Sequence, residues 1–153
     1  MDTAKAANLL CCHGGEILDY VNAPIGLAKK VPGPLLPHIA CPTTAGTGAE
    51  TTGIVVLDIE EVGLKSGISS PHLKPNHAIV DPETTLTLPS GVIASTGFDV
   101  LTHAVESYVA RPYTSSDRPL DPSLRMGYQG ATPYNDIGAL AAIRIGGKYL
   151  LRA

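Results

Sequence analysis

No stretch of this chain restricts its fold more than Ser90 to Ala110. Val92, Ile93, Val100, Leu101, Ala104, Val105 and Tyr108 recur across it near helical spacing, which predicts a long amphipathic helix. At about 3.6 residues per turn, Asp99 and His103 then project from one face of that helix. A carboxylate and an imidazole so placed can hold a divalent ion from two sides. They do not close a site by themselves, because a catalytic metal usually takes three or more protein ligands. The pair also has a plainer reading, a hydrogen-bonded couple on a helix surface.

The rest of the chain divides by composition. Asp2 to Cys12 is rich in Ala and Leu and is stopped by His13-Gly14-Gly15, which predicts a helix. Ile17 to Val21 adds a short helical turn. Pro24 to Pro37 carries Pro24, Pro32, Pro34 and Pro37 and reads as an extended linker. Strands are predicted at His38 to Cys41, Gly53 to Asp58, Leu64 to Ser69 and His77 to Val80, with a turn at Glu60 to Gly63. Arg111 to Gly130 reads as a long loop, and Asn135 or Asp136 as the cap of a final helix. Strands come first and helices last, which fits a small αβ part followed by a helical part. The sheet looks too small to be whole.

Bulk properties narrow the partners. With 153 residues, 44% of them hydrophobic and 16% charged, the chain can bury one sizeable core. A net charge of −3, no Trp and a single Phe argue against a nucleic-acid surface. No apolar run approaches the roughly 18 residues of a membrane span, and the N-terminus shows no secretory pattern. Cys11, Cys12 and Cys41 have neither CxxC spacing nor an even framework, so they read as reduced thiols.

A second motif is Pro42-Thr43-Thr44-Ala45-Gly46-Thr47-Gly48-Ala49-Glu50-Thr51-Thr52. Small residues let backbone approach a ligand, and Thr hydroxyls donate to phosphate oxygens. The alternative is a Gly/Thr turn between strands, and Gly46-Thr47-Gly48 is not a GxGxxG fingerprint. Asp2 reads as helix-end electrostatics and Lys5 as a solvated side chain. Lys65 reads as an exposed strand-edge residue. His13, His38, His72 and His77 lack matched spacing and read as ordinary polar residues.

Together, the threonine-rich run and Gly97-Phe98-Asp99 through His103-Ala104-Val105-Glu106 resemble the iron-containing (group III) alcohol dehydrogenase family, in motif and in order. Asp2 to Leu9, Asp19 to Gly26 and Tyr128 to Ile137 are similar to its mitochondrial hydroxyacid-oxoacid transhydrogenase branch. The resemblance implies an α/β fold followed by an all-α part, within a dehydroquinate-synthase-like/iron alcohol dehydrogenase architecture. Residues 1–88 would be the C-terminal part of the αβ nucleotide-binding domain, and 89–153 the first helices of the all-helical metal-binding domain. It implies Fe(2+) or another divalent metal on Asp99 and His103. It also implies NAD(H) contacted by Thr43, Thr44 and Thr47, with Asp2 and Lys65 at cofactor-side positions.

The activity so implied is oxidation of 4-hydroxybutyrate to succinic semialdehyde, coupled to reduction of 2-oxoglutarate to 2-hydroxyglutarate. The near alternative is a plain NAD-dependent iron-containing alcohol dehydrogenase. Partners would be a small hydroxy acid and oxo acid, with a homo-oligomer allowed, no nucleic acid and no membrane, in mitochondria. Arg111, Arg118 and Arg125 are candidates to pair a substrate carboxylate, against the plainer reading of a solvated loop. In the family a glycine-rich turn precedes the segment matching Met1-Asp2, and two further histidine ligands follow the segment matching Ala153. The chain therefore reads as an internal fragment truncated at both ends, with two ligands of a four-ligand site. That leads to a third expectation, an inactive truncated chain, poorly soluble because apolar faces are left uncovered.

Overall fold

The computed structural model describes residues 1–115, 117–122 and 128–152. They form two compact units. One comprises Met1–Thr43 and Gly48–Pro82; the other comprises Thr44–Thr47 and the chain from Glu83 onward.

The first unit is built on helix α1 (Asp2–His13) and an antiparallel hairpin of β2 (Ile54–Ile59) and β3 (Leu64–Ser69). On β2, Val55 and Ile59 are buried while Ile54 and Val56 are exposed. That alternation fixes the register, Val55 opposite Ile68 and Ile59 opposite Leu64, because a one-residue slip would turn the buried set outward. Gly63, at φ 61°, closes the turn between the strands in a left-handed conformation that favours glycine. Ala6 and Leu9 of α1 join Tyr20, Val21, Val55, Ile59, Ile68 and Leu73 in the core. Gly14 ends α1 by donating its N–H to Leu10 O at 2.8 Å. The short helix α2 (Ile17–Tyr20) follows.

The predicted extended linker is not one. Leu27, Ala28 and Lys29 donate their N–H groups to the carbonyls of Leu18, Val21 and Asp19. Ile25, Val31 and Leu35 pack against the core. Prolines removed donors from this segment, but its apolar residues had a core to reach, and burial outweighed the preference for a free extended path. Beyond it, β1 (Ile39–Ala40) pairs in parallel with β4 (His77–Ala78) as a separate two-stranded sheet. Each strand is shorter than the sequence suggested.

The second unit is helical. α3 (Ser90–Val109) packs against α4 (Pro133–Tyr149), with Ala104 and Ala139 buried. The cap of α4 is Thr132, not Asn135 or Asp136: its side chain accepts from Asn135 N at 3.1 Å. Proline at the first helical position explains the earlier start, since its missing N–H is an orphan there and its φ is already helical. The described part of the long loop is pinched at its ends. Tyr113 N donates to Ala131 O at 3.0 Å, and Ala131 N to Arg111 O at 2.9 Å. The architecture is thus α/β followed by all-α. No described helix is long and apolar enough to cross a membrane.

Candidate functional site

In the second unit, α3 sets the metal candidates. Asp99 and His103 face each other one turn apart, Oδ1 to Nε2 at 3.7 Å. Both side chains remain partly exposed, 36% for Asp99 and 52% for His103. The tip of the threonine-rich run lies on the same helix face: His103 Nδ1 is 3.0 Å from Gly46 O. A carbonyl oxygen only accepts, so Nδ1 is the donor of that bond. In the neutral ring Nε2 then carries the lone pair, and it looks toward the Asp99 carboxylate. This is the arrangement metal-ligating histidines use, with the far nitrogen bonded to a backbone carbonyl or carboxylate. Metal–ligand distances near 2.0–2.2 Å can be met from both atoms across a 3.7 Å gap. The pair therefore fits a divalent ion as two of its ligands. Among the described residues no third His, Cys, Asp or Glu joins it.

The other nominated residues have surroundings of their own. Asp2 Oδ2 accepts from Val56 N at 3.0 Å, which ties the start of α1 to β2. Lys65 stands across the hairpin from Asp58 at 3.7 Å, 76% and 71% exposed. A pair that open contributes about 0–1 kcal/mol and leaves the ammonium in water. Thr43 is exposed, Thr44 half-buried and Thr47 exposed, along the run that reaches the turn at Gly48. There Thr51 donates through both N and Oγ1 to Gly48 O, at 2.9 and 2.8 Å. Arg111 and Arg118 are exposed, and Arg125 lies outside the described residues. All three cysteines are free thiols.

Lys5 overturns its sequence reading. It is fully buried, 0% exposed. Its ammonium donates to Ala49 O at 2.7 Å, Thr52 O at 2.8 Å and Ile54 O at 3.0 Å. Burial pushes the amine below the usual lysine value, against the carboxylates of Asp2 and Glu50, which favour the charge. Three charge-assisted bonds are what make burial of this cation tolerable. The signal was present in the sequence: Lys5 shares the helix face of Asp2 and Leu9, at i+3 and i+7. A cavity of about 170 Å³ in this unit is lined in part by Lys5, Asn8, His38 and His72, and by none of Asp2, Thr43 or Lys65. Gly46 was missed as well, as one small residue among many in its run.

Residues 1–82, more than half of the chain, match the family model of the iron-containing alcohol dehydrogenases. A Rattus norvegicus protein named hydroxyacid-oxoacid transhydrogenase, mitochondrial, is 54% identical over 155 residues, covering 100% of this chain and 33% of that protein. The Homo sapiens protein of the same name is 51% identical over 155 residues, with 100% and 33% covered. The chain thus spans about a third of the length of these curated relatives. Among solved structures, sulfoacetaldehyde reductase from Bifidobacterium kashiwanohense in complex with NAD+ is similar at a TM-score of 0.73 and 36% identity, over 97% of this chain and 34% of that one. A 1,3-propanediol oxidoreductase is similar at a TM-score of 0.78 and 31% identity, over 99% and 34%. With a match over half its length, relatives over all of it and the corresponding fold in solved structures, this chain belongs to the iron-containing alcohol dehydrogenase family.

Proposed function

We propose that the chain carries half of the metal site and part of the cofactor site of a mitochondrial hydroxyacid-oxoacid transhydrogenase. The observation that supports it most is the Asp99–His103 pair with the Gly46 carbonyl on the outer imidazole nitrogen. A divalent cation such as Fe(2+) held by that pair would supply Lewis-acid polarisation of the substrate's hydroxyl or carbonyl oxygen. Asp99 brings the negative charge that favours a cation, and His103 brings a directed lone pair. Thr43, Thr44 and Thr47 would donate hydroxyl hydrogen bonds to the phosphates and ribose of NAD(H). Asp2 and Lys65 are weaker candidates for the cofactor side, since each already has a partner within the first unit. The proposed boundary between nucleotide-binding and metal-binding parts lies at 88/89.

The proposed reaction is oxidation of 4-hydroxybutyrate with reduction of 2-oxoglutarate through one retained nicotinamide. The names of the rat and human relatives motivate the exchange between a hydroxy acid and an oxo acid and the mitochondrial location; the particular substrate pair is what the family resemblance implies. A second reading, a chain with no catalysis of its own, is favoured by the absence of a third metal donor among the described residues. One assay separates them. The chain, loaded with Fe(2+) and NAD(H) and freed of excess cofactor, is given 4-hydroxybutyrate and 2-oxoglutarate, and 2-hydroxyglutarate is measured. Its formation without added NAD supports the transhydrogenase. Turnover only with added NAD indicates a plain alcohol dehydrogenase. No turnover under either condition favours the second reading.

A further inference from the structure

We propose that Gly46 is a positioning residue for the metal pair. Its carbonyl takes the Nδ1 proton of His103 and so presents a bare Nε2 to Asp99. The inference rests on reading Asp99 and His103 as metal ligands, and it adds a function to a loop otherwise assigned to the cofactor alone.

Three observations carry it. The first is the bond itself, His103 Nδ1 to Gly46 O at 3.0 Å. It selects one of two neutral tautomers, because the oxygen has no proton to give. The second is what faces the freed nitrogen. Asp99 Oδ1 lies 3.7 Å from Nε2, beyond hydrogen-bond reach. A lone pair and a carboxylate facing each other repel unless a metal cation, or a proton on the imidazole, lies between them. The third is space. Gly46 has φ 104°, outside the range side chains adopt readily. A Cβ there would lie 2.6 Å from Asp99 Oδ2, 2.8 Å from Thr96 O and 2.9 Å from Asp99 Cβ. Only glycine lets the loop come this close to the helix face. Any larger residue must move either the carbonyl away from His103 or the Asp99 carboxylate from its place. Gly48 provides the contrast. It also has a positive φ, 59°, but a Cβ there would meet nothing nearer than Thr51 Oγ1 at 3.7 Å.

The test uses the whole chain labelled with 15N-histidine, at a pH well above the ordinary imidazole range. Long-range proton–nitrogen correlations assign the His103 tautomer, and Zn2+ titration gives the affinity. The wild type is expected to show Nδ1–H on His103 and to bind Zn2+. Gly46→Ala is expected to lose the tautomer preference and to bind Zn2+ about tenfold or more weakly, while Gly48→Ala keeps both. A wild-type spectrum showing Nε2–H overturns the proposal without any variant having to fold. Unchanged Zn2+ affinity in a folded Gly46→Ala overturns it too. Should the wild type hold Nδ1–H yet take up no Zn2+, the metal reading itself falls and Gly46 has no ligand to position. The tautomer therefore distinguishes the two failures.

Discussion

At the residue scale the most consequential side chain is Lys5. Sequence reasoning left it in solvent, because a helical lysine usually reaches water. Here three backbone carbonyls take its three protons. Removing the ammonium takes the donor from those three partly buried carbonyls, and buried polar groups left unpaired are costly. Lys5→Met, which keeps length and apolar bulk, should therefore lower unfolding free energy by about 1–3 kcal/mol. Urea denaturation followed by circular dichroism checks this, and an unchanged midpoint would refute it. That Asp99 and His103 share one helix face was legible from spacing, since helical geometry makes i and i+4 neighbours; their reading as metal ligands came from the family resemblance. Gly46 was not, because its role depends on a tertiary approach that spacing does not encode.

At the scale of elements, what the sequence revealed depended on length. α1, α3 and the β2–β3 hairpin fall close to their expected ranges, because periodicity over many residues averages out local ambiguity. β1 and β4 shrank to two residues each, since their pairing reaches only Ile39–His77 and Ala40–Ala78. The Pro24–Pro37 segment defeated composition, because whether a proline-rich stretch packs depends on a core it meets elsewhere. The start of α4 was missed for lack of weight on Thr132-Pro133, a cap followed by a ring-locked first residue. Thr132→Ala should cost about 1 kcal/mol, because Asn135 N then loses its acceptor. Hydrogen exchange at the first turn of α4 reads the change directly. Unaltered protection there would mean that Thr132 is not the cap.

At the scale of the whole molecule, large apolar side chains stand exposed on the helical unit. Phe98, Val105 and Val109 of α3 and Tyr134, Ile137 and Ile145 of α4 are all exposed, with Tyr134 at 84%. Exposed apolar side chains in this number promote association. The chain should therefore bind a hydrophobic dye strongly and self-associate as concentration rises. A dye-silent, monodisperse chain with a cooperative melt would contradict that. The same scale bears on chemistry. Two donors, both partly open to water, should hold a metal ion loosely, and weak binding rather than a closed centre is expected.

The most direct measurement is a Zn2+ and NADH titration of the 153-residue chain beside its His103→Ala variant, reading bound metal and nicotinamide fluorescence together. One weakly held ion per wild-type chain is expected, with its loss in His103→Ala and a change in NADH fluorescence. The contradicting result is either no saturable metal uptake or uptake that survives removal of the imidazole.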